Sequence, residues 1–403
     1  MNKLTQRLAL CGCLIGIALV FDSVAQPVRK PATFLLDATL LQASKQKIRQ
    51  GDPAMTAARQ ALLTAADQVL TRPAHSVMEK SKTPPSGNKH DYMSVGPYWW
   101  PDTTKPNGLP YIRKDGQINP ERSAIVDETY LKNLCDDVQT LALAYYYSDN
   151  ETYARRAAER LRIWFLDPAT KMNPNLNYGQ AIPGITEGRG IGLIDSRGLA
   201  NLTDAVQLLQ GSKAWSKQDH RALQGWVQQF MDWMLTSPIG KDEEDEHNNH
   251  GTYYDVQTVA FALFLDNRAL ARQMLEQKTM KRIQTQLKPD GSQPHELART
   301  LSWNYSIMNL KGFFTLAQLA ETVGVDLWNY QTPDGKSIRK AYEWLVPYAR
   351  QEKPWTFQQI KALHVEEFAP LQAVAGQKYG QSTAAARDTG VFALTHSLFW
   401  QRL

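Results

Sequence analysis

Cysteine is nearly missing: the 403-residue chain has three, and Cys11 and Cys13 both fall in the apolar N-terminal run "LALCGCLIGIALVF". That leaves Cys135, and one thiol cannot close an internal disulfide, so a hydrophobic core must hold the protein together without staples. The N-terminal apolar run is itself too short for a membrane anchor, which needs ~20 residues to span. Runs of Lys and Arg are lacking as well, which argues against a nucleic-acid partner, since such proteins usually carry a clustered basic stripe. Nor does a Pro/Ser-rich linker or a shift in composition divide the chain.

What the N-terminus does contain is the anatomy of a secretory signal. Lys3 and Arg7 precede the apolar run, and small residues at Ser23 and Ala25 close it. A signal peptide is expected over 1–25, with export to the periplasm or medium and no stable membrane insertion after cleavage. The segment Leu10-Cys11-Gly12-Cys13 faintly resembles a lipoprotein box, but the apolar stretch continues past it. Cleavage removes Lys3, Arg7 and Asp22 and lowers the formal charge of +5 by one. Such a mild excess is compatible with a polyanionic substrate, and the mature chain is expected to act as a monomer.

Apolar residues three and four apart recur over 54–70, 124–147, 151–165, 197–210, 219–236, 253–265, 267–286, 303–322, 336–349 and 383–401. Strand signals are few. The pattern predicts an all-α protein, one domain over 26–403 built from helical hairpins. Hairpins of similar length in a domain of this size close into an (α/α) toroid, an incomplete barrel of about six or seven hairpins. An open solenoid is the alternative, but no repeat of fixed period is visible. Two connections, about 79–122 and 173–192, exceed the ~12–15 residues of ordinary loops, and their aromatic content argues for order and function.

The most polar stretch, "DEEDEHNNHGTYYD" at 242–255, lies directly against an apolar helix. Thr252 and Asp255 have capping-box spacing, so the helix is expected to start just after His250. A ligand carboxylate there would meet backbone N–H groups, the amides of Asn248 and Asn249, and the His250 imidazole. The bland alternative is a solvated acidic loop with a good cap. Glu246, His247 and His250 are metal-ligand types, but their spacing matches no specific motif, and no metal or cofactor is expected.

Farther on, "PDGSQPHELARTLSWNYS" at 289–306 opens with a turn, and Ser302 is a candidate cap for the next helix. Arg299 precedes that helix and Tyr305 falls in its first turn. Six residues on a continuous helix would point these two about 120° apart, so sharing a cleft requires a bend between them.

Asn, His, Arg and Tyr together suit β-elimination in a polyuronate. The C5 proton is barely acidic until the neighbouring carboxylate is neutralised, and hydrogen bonds with a cation then stabilise the enolate-like intermediate. A base removes the proton and an acid protonates the leaving oxygen. Asn249 and Arg299 serve the first need; His250 and Tyr305 serve the others.

"NNHGTYYD", "DGSQPHELARTLSWNYS" and "NPNLNYGQAIPGITEGRGIGLID" also resemble the alginate lyase family of toroid enzymes. The resemblance implies a polyuronate lyase acting on an anionic polysaccharide, with Asn249, His250, Arg299 and Tyr305 as its catalytic set. It further implies that Tyr305 makes both proton transfers when proton and leaving group lie on one side of the sugar, and His250 acts as base when they do not. Both uronate epimers are then expected as substrates. Within the quoted blocks, Asn173, Asn175, Tyr178, Gln180 and Arg189 offer donors for sugar hydroxyls and carboxylates, as do Asn248, Tyr254 and His295. His90, Tyr92, Trp99 and Trp100 are expected to form a wall on which pyranose rings stack. Lys82, Lys89 and Arg113 could attract the polyanion. Other readings are a lyase for another polyuronate such as glucuronan, a toroid hydrolase using a pair among Asp102, Glu187, Asp195 and Glu296, and a sugar-binding protein without catalysis.

Overall fold

Helix starts in the computed structural model, which describes residues 28–380, follow local chemistry. The expected signal segment over 1–25 and the helix expected over 383–401 lie outside the described residues. Asp37 caps α1 (Ala38–Arg49), and Asp52 caps α2 (Pro53–Thr71), whose Pro53 has no N–H to leave unpaired. α3 (Asp127–Ser148) stops at Asp149, which turns left-handed at φ 58°, and Asn150 at once caps α4 (Glu151–Leu161). After α5 (Leu199–Leu208), a capping box of Ser216 and Asp219 opens α6 (Lys217–Thr236). α7 (Pro238–Glu244) and α8 (Asn249–Phe264) come next. α9 (Arg268–Met274) and α10 (Met280–Gln286) are joined by a π-helical turn over 275–279. α11 (Pro294–Leu297), α12 (Ser302–Glu321), α13 (Ile338–Ala349) and α14 (Ala369–Tyr379) complete the described chain.

Burial sorts these helices into two layers. All of α5 and nearly all of α8 are buried, polar residues included, and α3 and α12 are buried over most of their length. α3 packs on α5, α5 on α8, and α8 on α12. α2 and α4 pack against α3, α6 and α9 against α8, and α13 against α12. On α6 the buried residues Leu223, Trp226, Val227, Phe230, Met231 and Met234 form one stripe, the signature of an outer helix. The protein is therefore an (α/α) toroid. Among the described residues no helix is long and apolar enough to cross a membrane.

The two long connections are tied to each other. β1 (Met93–Val95) pairs in parallel with β4 (Tyr178–Ala181), and β2 (Trp99–Trp100) pairs antiparallel with β3 (Ile112–Arg113). Asp195 fastens the first pair, accepting from Tyr92 Oη at 3.0 Å, Ser94 Oγ at 2.6 Å and Gln180 Nε2 at 2.9 Å. At its N-terminal end the first connection is pinned by a fully buried ion pair, Lys80–Asp127 at 2.9 Å, and Asp127 also accepts from the Met93 N–H.

Three local expectations are corrected. The acidic run at 242–246 is not a solvated loop but overlaps the end of α7, which starts at a Ser237 cap followed by Pro238. α8 begins at Asn249 rather than after His250, because Asn248 is its cap. Thr252 and Asp255 face the interior instead, Thr252 bonding Gln286 and Asp255 bonding Arg282 and Thr279. Ser302 is already inside α12, and its hydroxyl donates to the Gln358 carbonyl.

Candidate active site

At the start of α8, Asn248 Oδ1 takes the His250 N–H at 2.8 Å, placing Asn249 and His250 in the first turn. The anion expected there is already present, and it belongs to the protein. Glu296 Oε1 accepts from the Asn249 N–H at 2.6 Å, and Asn249 Nδ2 reaches the two Glu296 oxygens at 3.1 and 2.9 Å. Burial raises the Glu296 carboxyl above its ordinary range, although the Asn249 bonds pull the other way. The helix start thus holds Asn249 in place; it does not wait empty for a sugar carboxylate. Asn249 Oδ1, buried with the rest of the residue, has no hydrogen-bond partner.

His250 is held from the other side. Its Nδ1 lies 3.0 Å from Glu243 Oε1, and Glu243 is only 1% exposed. With Nδ1 engaged, Nε2 is the nitrogen left for chemistry. Burial, the largest single influence, disfavours the charged imidazole, but Glu243, Glu246 and Glu296 together outweigh it and the net shift is upward, with Glu243 the main contributor among them. Glu243 itself is pushed up to about 6 by burial, with His250 opposing. Arg282 locks α7 in position, bonding the Glu244 and Glu246 carbonyls at 2.8 and 2.7 Å and Asp255 at 2.8 Å. Gly251 leaves room for that guanidinium, since a Cβ there would lie 2.0 Å from Arg282 Nη1.

The bend needed between Arg299 and Tyr305 is the break between α11 and α12. Across it, the Arg299 guanidinium carbon sits 3.8 Å from the centre of the Tyr305 ring. The Tyr305 and Tyr98 hydroxyls share a hydrogen bond of 2.6 Å. Burial raises the Tyr305 hydroxyl well above the usual range, and the Arg299 charge acts against that rise. Arg299 in turn donates to Asp115. Burial works against the Asp115 charge, yet Arg299 and Thr300 hold this carboxyl well below the carboxylate range. Glu296 joins the two halves, bonded to Asn249 and within electrostatic reach of both Arg299 and His250.

The remaining residues named from the sequence divide by environment. Trp99 and Trp100 are half-buried side by side in β2, and Arg189 lies 5.8 Å from the Trp99 ring. Burial, then the nearby Arg113, pulls the Arg189 guanidinium below its ordinary value. Tyr178 is half-buried in β4, and Asn248 Nδ2 bonds Glu246. Asn173 and Asn175 both donate to Asp91, and His90 Nδ1 lies 2.6 Å from the Lys171 carbonyl. His295 is exposed and meets the His247 ring edge-on at 4.8 Å.

Three of the sugar-contacting assignments are corrected. Tyr92 is fully buried with its hydroxyl on Asp195, Tyr254 is fully buried with its hydroxyl on the Met234 carbonyl, and Gln180 is buried between Asp195 and Arg189. Tyr92 and Gln180 brace the paired connections through Asp195, and Tyr254 ties α8 to the end of α6. Among the described residues no group of three or more His, Cys, Asp or Glu is placed to hold a metal ion.

Tyr98, Asp115 and the role of Glu243 were not singled out from the sequence. Tyr98 is overshadowed by the tryptophans beside it, and Asp115 reads as an ordinary Asp-Gly turn. Glu243 does carry a signal: on a helix starting at Pro238 it is the one acid of the run that turns inward. "GRGIG" at 188–192 is explained by close backbone approach. A Cβ on Gly192 would lie 2.5 Å from the Gly179 backbone, and one on Gly190 would lie 2.6 Å from the Glu243 nitrogen. Gly192→Ala is therefore expected to destabilise the protein by about 1–3 kcal/mol through overpacking, measurable by denaturant unfolding.

Comparison with known proteins bears on this site. The sequence model of the family described as "Alginate lyase" matches residues 76–355. An alginate lyase from Bacteroides ovatus, known from its crystal structure, is 40% identical with a TM-score of 0.85, covering 91% of this chain and 100% of that one. Alginate lyase A1-III from Sphingomonas species A1 is 15% identical with a TM-score of 0.57, covering 92% and 98%. A histidine-to-alanine variant of A1-III complexed with a tetrasaccharide is 14% identical with a TM-score of 0.59, covering 94% and 98%. At those lower identities the likeness bears on the fold alone. Comparison with curated proteins finds no match.

Proposed function

This chain belongs to the alginate lyase family, and from that premise we propose that it cleaves alginate by β-elimination with Asn249, His250, Arg299 and Tyr305 at the reacting centre. The observation that carries this reading is the Arg299 guanidinium lying 3.8 Å over the ring of Tyr305. A cation in that position favours the phenolate that a tyrosine base requires. It also adds positive charge where the uronate carboxylate must be neutralised. Tyr305 then removes the C5 proton and returns one to the leaving glycosidic oxygen when both lie on the same face of the sugar. For the opposite epimer, His250 Nε2 takes the proton while Tyr305 acts as acid. Trp99, Trp100, Tyr178 and Arg189 supply a partly exposed wall for neighbouring sugars.

A hydrolytic reading loses support because two of its four candidate carboxylates are engaged elsewhere: Asp195 holds three donors, and Glu296 is buried on Asn249. The N-terminal signal anatomy supports action outside the cytoplasm, in the periplasm or medium. Purified protein should be given mannuronate blocks, guluronate blocks and glucuronan, with ultraviolet absorbance followed for the conjugated C4–C5 double bond. Absorbance is expected to rise on both alginate block types. New reducing ends without absorbance would overturn the lyase reading, and activity on glucuronan alone would overturn the substrate.

A further inference from the structure

Arg299 lies in the turn between two helices, yet its guanidinium carbon is held 3.8 Å from the centre of the Tyr305 ring. The side chain responsible comes from the far end of the first long connection. Arg299 Nε and Nη2 lie 3.2 and 2.8 Å from the two oxygens of Asp115, a side-on fork that sets the guanidinium plane. The carboxylate is over-held. Arg113 Nη2 donates to it at 2.9 Å, and Thr300 donates through its N–H at 3.2 Å and its hydroxyl at 2.9 Å. The next residue, Gly116, turns at φ +73°, and a Cβ on it would lie 2.5 Å from Thr300 Oγ1, so the chain passes too close for any other residue.

Building on the lyase reading, we propose that Asp115 is a positioning residue that fixes Arg299 on the face of Tyr305. With five donor contacts on one carboxylate, Asp115 is an anchor and not a stand-in that a uronate displaces on binding. Two consequences follow for the site. Arg299 cannot fork a substrate carboxylate side-on through Nε and Nη2, because both face Asp115, so the edge left for the sugar is the end-on one of Nη1 and the second Nη2 proton. The same connection holds Tyr305 at two points, through Tyr98 on its hydroxyl and through Asp115 and Arg299 on its ring.

The charged and titratable groups facing this unit are Tyr98, Asp115 and Arg299 around Tyr305, with Arg113 and Glu296 beyond them. Without Asp115, Glu296 is the remaining acid near Arg299, and movement of the guanidinium toward it would uncover the phenol. Loss of a cation from the ring makes the phenolate harder to form, and this outweighs the smaller opposite effect of removing the Asp115 charge, which itself raises the phenol, so the limb of the pH profile that requires phenolate should move to higher pH.

The test compares wild type with Asp115→Asn, Asp115→Ala and Asp115→Glu on mannuronate blocks, with kcat, KM and the kcat–pH profile measured beside a thermal unfolding curve. Expected for Asp115→Asn and Asp115→Ala is a ~10–100-fold fall in kcat, within the range that acid–base positioning supplies. KM should change less than ~3-fold, and the phenolate limb should move upward. Asp115→Glu, which can still reach the guanidinium, should recover part of kcat and of the profile. If KM rises while kcat and the pH profile stay put, Asp115 only holds the loop and the proposal is overturned. Lower KM or faster turnover in Asp115→Ala would overturn it too, by making Asp115 an occupant that substrate must expel. A wild-type protein silent on every uronan would instead defeat the lyase reading, a distinct outcome.

Discussion

Tyr305→Phe is expected to lower kcat on mannuronate blocks by at least ~1000-fold with little change in thermal unfolding. General acid–base groups supply ~10²–10⁴ in rate, and in the proposed mechanism one hydroxyl performs both proton transfers, so its removal would take away base and acid together. The ring stays, and with it the surface on which Arg299 rests. What the fold loses is one hydrogen bond to Tyr98, about 1 kcal/mol or less at a partly exposed site. KM should hold within a few-fold, because the hydroxyl acts in the transition state more than in the bound ground state. A variant that keeps a tenth of wild-type turnover would remove Tyr305 from the chemistry.

His250→Ala is expected to separate the two epimers. On guluronate blocks, where the proposed mechanism makes His250 the base, the loss should be ~10²–10⁴-fold; on mannuronate blocks, where the same mechanism needs only Tyr305, it should be at least tenfold smaller. Equal losses on both would show that His250 has one common role. Glu243→Gln refines the same prediction through pH. The Glu243 carboxylate is the main group raising the His250 proton affinity against burial, so removing its charge leaves burial opposed only by Glu246 and Glu296 and His250 gives up its proton at lower pH. The acid limb of guluronate cleavage, which requires neutral imidazole, should therefore move to lower pH. Plateau kcat should fall about tenfold, as expected for a weaker base. An unmoved limb would mean that another group titrates there.

The helices were legible in the sequence because they are set by period. The stripe of α6 marks an outer helix by its period alone, whereas α8 and α12 carry polar residues throughout and only their burial on nearly every face identifies them as inner. α1 escaped notice because "ATLLQASKQKIR" has little apolar surface to repeat. Asn249, His250, Arg299 and Tyr305 were found as residue types in polar blocks beside apolar helices. Their partners were not, since an ion pair such as Arg299–Asp115 spans 184 positions and no local pattern records it. Glu243 shows the opposite failure. Five acids in a row look like solvated charge, and only the helical turn from Ser237 reveals that one of them points inward.

The parallel pairing of β1 with β4 has a consequence for remodelling the groove. Because Asp195 grips Tyr92 and Ser94 from one connection and Gln180 from the other, the two walls form a single mechanical part. A graft that replaced one of them with a homologous segment would deprive the survivor of its scaffold, so exchange of sugar preference between relatives should succeed only when both segments travel together.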